Sequence, residues 1–309
     1  MKFPFAVVYY KQLGDTLLTE PALNAMAEYH GAPVGILCRP GFEDLVSLMG
    51  ERVVSVQPRP WVQVDRILCG DSGSRSAARA LILRSAKREV IVENDEQVRR
   101  IHRLGRFSIQ HHPMEREYRA RWLWRAAVGD RVPVEAFRPP RLQPPPRSWR
   151  EGVENVDFIE QKPLLLHVSS AWKRKCWQPR CWAELIQSCE TLKDRPILIS
   201  AGPQEWEQQL AGQVIQQVKR ADVKSLGVMS FRQFLWVLNE VSAILAIDGA
   251  AAHLGQAFGK PVLTLFGASD VAQWHWQADK NQALVAPEGS MNLLLVSDVS
   301  EKLLSWLEA

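Results

Sequence analysis

The chain has 309 residues, roughly twice the length at which one hydrophobic core is comfortable, so two domains are expected. With 46% hydrophobic and 23% charged residues the composition is that of an ordinary globular protein and argues against disorder, collagen and coiled coil. The net charge of +4, from 38 Lys plus Arg against 34 Asp plus Glu, is too small to imply a nucleic-acid partner. Five cysteines (Cys38, Cys69, Cys176, Cys181 and Cys189), odd in number and without a C-x-x-C, fit reduced thiols in a cytosolic compartment. The first residues, MKFPFAVVYYKQLGD, read as a strand rather than a leader, and no apolar run is long enough to span a bilayer. The expectation is a soluble or, at most, peripheral protein.

From Phe5 to Tyr10 a β-rich run enters the polar turn KQLGD, then a segment with Leu17, Leu18, Leu23 and Met26 at near-helical spacing. PVGILC (Pro33 to Cys38), GFEDLVSLM and RVVSV (Arg52 to Val56) follow as strand, helix and strand, with further short apolar runs at Asp65 to Cys69 and Glu89 to Val92. Short apolar strands alternating with helices predict a parallel sheet covered on both faces. Five prolines between Pro139 and Pro146 preclude both helix and central strand, and place a linker at about 131–157 between domains at 1–150 and 158–309. The alternation then resumes with PLLLHV, PILIS, SAILAI and PVLTLF as strands, with helices between them marked by Pro179 and by Ser230 as a cap. The whole reads as α/β, two Rossmann-like domains in series.

Open α/β sheets bind ligands at the carboxyl ends of their strands, so the residues after each strand are the candidates. After PLLLHV, Ser169 and Ser170 offer hydroxyls, and Lys173, Arg174 and Lys175 concentrate positive charge. That pattern suits phosphate and is equally compatible with a solvated basic loop. After SAILAI, Asp248 stands where a carboxylate either accepts sugar hydroxyls or caps a helix, and Gly249, Ala250 and Ala251 let an anion approach a helix start. His253 lies one turn further on, facing the same crevice or simply structural. Glu205 follows PILIS, placed either for ribose hydroxyls or to complement the helix dipole. Met229 precedes a helix and either meets an adenine edge or packs in the core. Gly14 and Asp15 follow the first strand, with Asp15 either a cap or a general base. There is no G-x-G-x-x-G, P-loop or D-x-D, and His102, His111, His112 and His167 show no metal-ligand spacing with the cysteines.

Taken in order, LGDTLLTEPALNAM, HVSSAWKRKCWQPRCWAELI, SAGPQEWE and DGAAAHLGQAFGKPVLTLFGASD resemble the motifs of glycosyltransferase family 9, the ADP-heptose lipopolysaccharide heptosyltransferases, over nearly the whole chain. The resemblance implies a GT-B fold, two Rossmann-like domains facing each other across a cleft, with acceptor on the first, nucleotide sugar on the second and the last helix crossing back. It further implies inversion at the anomeric carbon without a metal or other cofactor. Carried over by position, Asp15 is the base and Lys175 neutralises the departing diphosphate with Ser169 and Ser170. Glu205 then holds ribose, Met229 adenine and Asp248 a sugar hydroxyl, Gly249, Ala250 and Ala251 form the phosphate-facing helix start, and His253 is the motif histidine.

This chain departs from that pattern at Gly249 and Ala250, where the family usually has Ser or Thr and then Gly, so one phosphate-binding hydroxyl is lost. Tyr9, Tyr10 and Lys11 occupy a stretch often rich in Ser or Gly, which alters the acceptor side. Residues 95–150 hold 13 Arg, no Lys and six acidic residues, a net +7 interleaved with Trp122 and Trp124. This suits an anionic glycolipid such as a Kdo-bearing lipid A core, with Gly14, Arg75, Arg116 and Arg119 as acceptor contacts; the other reading is a solvated arginine-rich face. The expected partners are a nucleotide-sugar donor and such an acceptor, at the cytoplasmic side of the inner membrane and without nucleic acid. Another nucleotide sugar, a protein acceptor, a nucleotide-sugar epimerase and a catalytically silent binding subunit stand as alternatives.

Overall fold

The computed structural model describes residues 1–71, 73–92, 106–111 and 116–308. The chain packs as two compact units, Met1–Gln143 and Pro144–Ala309, which divide inside the proline run. Unit 1 is built on six parallel strands: β1 (Lys2–Val8), β2 (Val34–Leu37), β3 (Val53–Ser55), β4 (Gln63–Cys69), β5 (Arg84–Val92) and β6 (Ser108–His111). They lie in the order β3-β2-β1-β4-β5-β6. Every residue of β2 is buried, as expected where helices cover both faces of a parallel sheet. The helix Glu20–His30 turns Leu23 and Met26 inward, with Pro21 pre-setting its first turn.

Unit 2 repeats this plan with β7 (Leu164–His167), β8 (Ile197–Ser200), β9 (Val223–Ser225), β10 (Ala243–Ile247), β11 (Val262–Phe266) and β12 (Asn281–Val285), ordered β12-β11-β10-β7-β8-β9. Numbered from its own first strand, this is the same permutation as in unit 1. Trp177 and Trp182, both buried, meet edge to face with centroids 5.3 Å apart and anchor its core. Pro179 opens the helix Pro179–Ser188, and Ser230 caps Phe231–Glu240, its Oγ accepting from Gln233 N at 3.4 Å. The last helix, Val296–Leu307, commits Val299, Leu303 and Trp306 to the core of unit 2.

Each sheet reverses its order at one point, between β1 and β4 and between β7 and β10. Loops leaving two adjacent strands in opposite directions open a crevice there, at the carboxyl ends. No helix among the described residues is long and apolar enough to cross a membrane.

Four arginines of the arginine-rich segment pair with nearby carboxylates or carbonyls. Arg99, Arg100 and Arg103 lie outside the described residues. Trp122 and Trp124 are core residues, so they are not an exposed aromatic surface. Arg125 pairs with Glu117, Arg131 donates to Val128 O at 3.2 Å, Arg138 to Phe137 O at 2.8 Å, and Arg150 pairs with Glu160 at 3.1 Å. On β4, buried Arg66 pairs with Glu89 and reaches the carbonyls of Ala126 and Ala127 at the end of the helix Arg119–Val128. A cation there complements the negative helix terminus.

The chain approaching the linker is held by a buried carboxylate. Glu20 accepts from Arg141 N at 3.1 Å and from Asn24 Nδ2 at 2.6 Å, and Gln143 N donates to Leu48 O at 2.8 Å. Burial pushes Glu20 up from 4.5 to about 7, against the opposing pull of the Arg141 N–H. The unfolded chain ionises this group near 4.5 while the native chain resists, so its contribution to stability is fullest below 4.5 and declines as pH climbs to about 7. Unfolding of the wild type and of Glu20→Gln across this window should show a flatter pH dependence in the variant; parallel curves would remove Glu20 as the cause.

Candidate active site

The crevice of unit 2 is assembled from three loops. The segment after β7 runs outward from Ser169 and returns at Trp177, whose buried indole donates to Leu294 O at 3.0 Å. Between them Lys173–Lys175 forms a short 3-10 turn, and Ser170 N donates to Cys176 Sγ at 3.3 Å, fixing the loop over the strand end. Across the strand reversal, Asp248 follows β10 and its N–H continues the ladder to Leu265 O.

Lys175 Nζ lies 2.6 Å from Asp248 Oδ2, the ammonium side chain 24% exposed and the carboxylate 5%. The helix geometry sets aside the cap reading of Asp248. Gly249, not Asp248, takes the cap position of the helix Ala250–Ala257, and the carboxylate is committed to Lys175. His253 is buried one turn into that helix, its ring 6.4 Å from that of Trp274. Burial drives its pKa down to about 4 despite the nearby Asp248 charge, so it is a neutral imidazole at physiological pH.

Both serines have protein partners. Ser169 Oγ donates to Glu207 Oε1 and accepts from Gly202 N, each at 2.8 Å, and Ser170 Oγ donates to Asp248 O at 3.2 Å. They tie β7 to the loops after β8 and β10. Glu207, which the sequence reading passed over, is the buried carboxylate here, and its other oxygen accepts from Gln204 N at 3.2 Å. A Cβ at Gly202 would run into that carboxylate, so any side chain there requires the carboxylate to move. Glu205 stands exposed in the first turn of Glu205–Gln217, accepting from Gln209 Nε2 at 3.2 Å. Met229 is half-buried just before the Ser230 cap. Helical spacing would have flagged Glu207, which shares its face with the buried Ala211 and Val214, four and seven residues on.

Gly249 has an extended backbone, and a Cβ there would meet Ser170 Oγ at 3.6 Å, an ordinary contact. The fold therefore tolerates the hydroxyl residue that this position lacks. His167, at the end of β7, is also buried; its Nδ1 lies 2.9 Å from Ser200 Oγ, and burial lowers its pKa to about 4.

At the crevice of unit 1, Asp15 sits in the short helix Leu13–Leu17 and its Oδ2 accepts from Gln12 N at 3.2 Å. Burial raises its pKa, while the Gln12 N–H and the charges of Arg119 and Lys11 oppose the rise and Asp71 adds to it. The cap contact and a role as base are therefore compatible. Asp71, after β4, is buried and accepts from Gly73 N and Ser76 Oγ, both at 2.6 Å, while Ser76 Oγ accepts from Tyr10 N at 3.1 Å. Gly14, Tyr9 and Arg119 are buried beside this loop, whereas Arg75 and Arg116 are exposed. Arg119 lies over Trp122, its guanidinium 4.3 Å from the ring centroid. Among the described residues no three His, Cys, Asp or Glu side chains gather as metal ligands.

Two reversed parallel sheets in series, each with a charged crevice at its strand ends, are the architecture of a GT-B glycosyltransferase. The pattern of glycosyltransferase family 9 (heptosyltransferase) matches residues 75–302, and the chain belongs to that family. It is 19% identical over 290 residues to lipopolysaccharide heptosyltransferase 3 of Escherichia coli, covering 84% of this chain and 82% of that protein. Among solved structures, E. coli heptosyltransferase WaaC with ADP superposes with a TM-score of 0.73 at 17% identity, covering 98% of this chain and 99% of that one. E. coli ADP-heptose lps heptosyltransferase II gives 0.74 at 15%, covering 100% and 99%.

The unequal exposure of the Lys175–Asp248 pair makes the two halves unequal on removal. Lys175→Met strands a buried carboxylate, while Asp248→Asn leaves an ammonium that can turn to water. Chemical denaturation should therefore show the larger loss for Lys175→Met, on the order of 2 kcal/mol. Equal or reversed losses would mean that Asp248 finds another partner.

Proposed function

We propose that this glycosyltransferase is an inverting, metal-independent heptosyltransferase that moves heptose from ADP-heptose to an anionic lipopolysaccharide inner-core saccharide. Unit 2 holds the donor and unit 1 the acceptor. The observation that carries this reading is the Lys175–Asp248 pair at the strand reversal of unit 2, beside a helix that starts Gly249-Ala250-Ala251. Small residues there let phosphate oxygens reach backbone N–H groups, and Lys175 supplies the compensating charge. Lipopolysaccharide heptosyltransferase 3, the curated relative, and the ADP-bound WaaC structure support the donor and acceptor classes.

In the reaction, ionised Asp15 takes the proton of the acceptor hydroxyl as that oxygen attacks the anomeric carbon from the side opposite the leaving group. The bond to the diphosphate breaks, ADP departs with the electron pair, and configuration inverts. The charge growing on the β-phosphate is met by Lys175 and the helix N–H groups, so no step calls for a divalent cation. Desolvation makes Asp15 a stronger base than an exposed carboxylate. Met229 and the loop after β8 receive the nucleoside, and Asp248 is available to a sugar hydroxyl once the diphosphate shares Lys175. Work on such an acceptor places the protein at the cytoplasmic face of the inner membrane.

Asp15→Asn should lower transfer by about 10²–10⁴-fold with ADP affinity intact, in an assay of released ADP paired with ADP titration. Wild-type transfer should fall as pH drops through the raised Asp15 pKa. Full activity of the variant would remove the base. Lys175→Ala should weaken ADP binding and slow transfer together, and unchanged values would remove the phosphate role. Gly249→Ser, which the backbone accommodates, should tighten ADP severalfold if this position faces phosphate; unaltered affinity would place the diphosphate elsewhere.

A further inference from the structure

A cavity of about 590 Å³ opens within unit 2, lined by residues 173–176, 268–269 and 289–292. Its walls come from the loops after β7, β11 and β12, so it lies on the β10–β12 side of the strand reversal. The loops after β8 and β9, which carry Glu205 and Met229, lie on the other side; of the cavity's cations Lys173 stands at the border, its Nζ near Trp206 of the helix after β8. Three of the lining residues are cationic and none is acidic.

The three cations are not equivalent. Lys175 has its countercharge in Asp248. Lys173 and Arg174 have no carboxylate partner among the described residues; Lys173 Nζ stands 5.2 Å from the Trp206 ring centroid and the Arg174 guanidinium 5.6 Å from that of Trp172. Indole faces hold cations in place without neutralising them. In unit 1, by contrast, Arg66, Arg125, Arg131 and Arg138 are spent on carboxylates and backbone carbonyls.

The opposite wall is pre-built. Gly289 has φ +68, and a Cβ there would meet Ala268 Cα at 3.1 Å, so the two loops close on each other through backbone. Met291 is buried beneath, and Asn292 Oδ1 accepts from Gln178 Nε2 at 3.2 Å. Ser269 and Ser290 add hydroxyls suited to a polyol.

We propose that this cavity is an anion subsite for a sugar bearing a phosphate or carboxylate, held by Lys173 and Arg174 and separate from the diphosphate position at Lys175. The inference rests on the donor reading above for the side from which the sugar enters. Arg174 offers a bidentate fork and Lys173 a point charge, the pair that oxyanions select.

The intact chain is titrated calorimetrically with D-glucose 6-phosphate, D-glucuronate and D-glucose, alone, with saturating ADP and with saturating ADP-glucose. The two anionic sugars should bind at least tenfold tighter than glucose. Lys173→Gln/Arg174→Gln should erase that preference while Tm stays at the wild-type value and ADP affinity falls far less than in Lys175→Ala, and Arg174→Gln alone should erase part of it; displacement of the anionic sugars by ADP alone would overturn a separate subsite. Binding that persists beside ADP-glucose assigns the anion to the acceptor; binding that survives ADP but is displaced by ADP-glucose assigns it to the transferred sugar. Equal affinity for charged and neutral sugars, or a preference surviving in the double variant, would overturn the subsite. Absence of ADP binding would instead sink the donor reading, while the ADP-free arm still reads the cavity.

Discussion

A carboxylate that is 5% exposed must have partners for its oxygens, and much of the second unit follows from Asp248 taking a countercharge as one of them. Lys175 reaches it only because the loop after β7 is returned to the sheet by Trp177 and held by the Ser170–Cys176 contact. Take away the buried indole and the lysine has no fixed address. The pair in turn holds a cation beside a helix start that has no side-chain cap, where backbone N–H groups are open to an incoming anion. On the proposed reading, a diphosphate entering there competes for a cation already aimed at it, so little reorganisation is needed when charge develops.

The two units share a strand permutation but divide the chemistry. In unit 1 the strand reversal presents carboxylates, Asp15 and Asp71, beside buried Arg119; in unit 2 it presents Lys175 with its partner acid and two further cations. Desolvation raises the Asp15 pKa, while His167 and His253 are held neutral by burial. One scaffold built twice thus presents carboxylates at one strand reversal and cations at the other, because fold alone does not set the character of its loops.

The central strands were legible because both faces of a parallel sheet are covered, which makes PVGILC, PLLLHV and SAILAI continuous apolar runs. The strands passed over, β6, β9 and β12, are edge or near-polar segments whose exposed residues erase that signal; β12 has no buried residue. At the site, Lys175 and Asp248 could be named from their positions after strands, but their direct contact joins residues 73 apart and no local pattern encodes it. The same holds for Ser169 and Glu207. In the arginine-rich stretch, charge counting does not reveal that a guanidinium pairs with a neighbouring carboxylate or carbonyl, nor that Trp122 and Trp124 point inward.

Gly202 and Glu207, from the loop and helix after β8, and Ser169, from the loop after β7, occupy one volume. A side chain at 202 requires the carboxylate to move, and without the carboxylate the hydroxyl of Ser169 would lose its acceptor. Change at any one of them bears on the other two, so this corner should drift among descendants of the chain as a block or stay still.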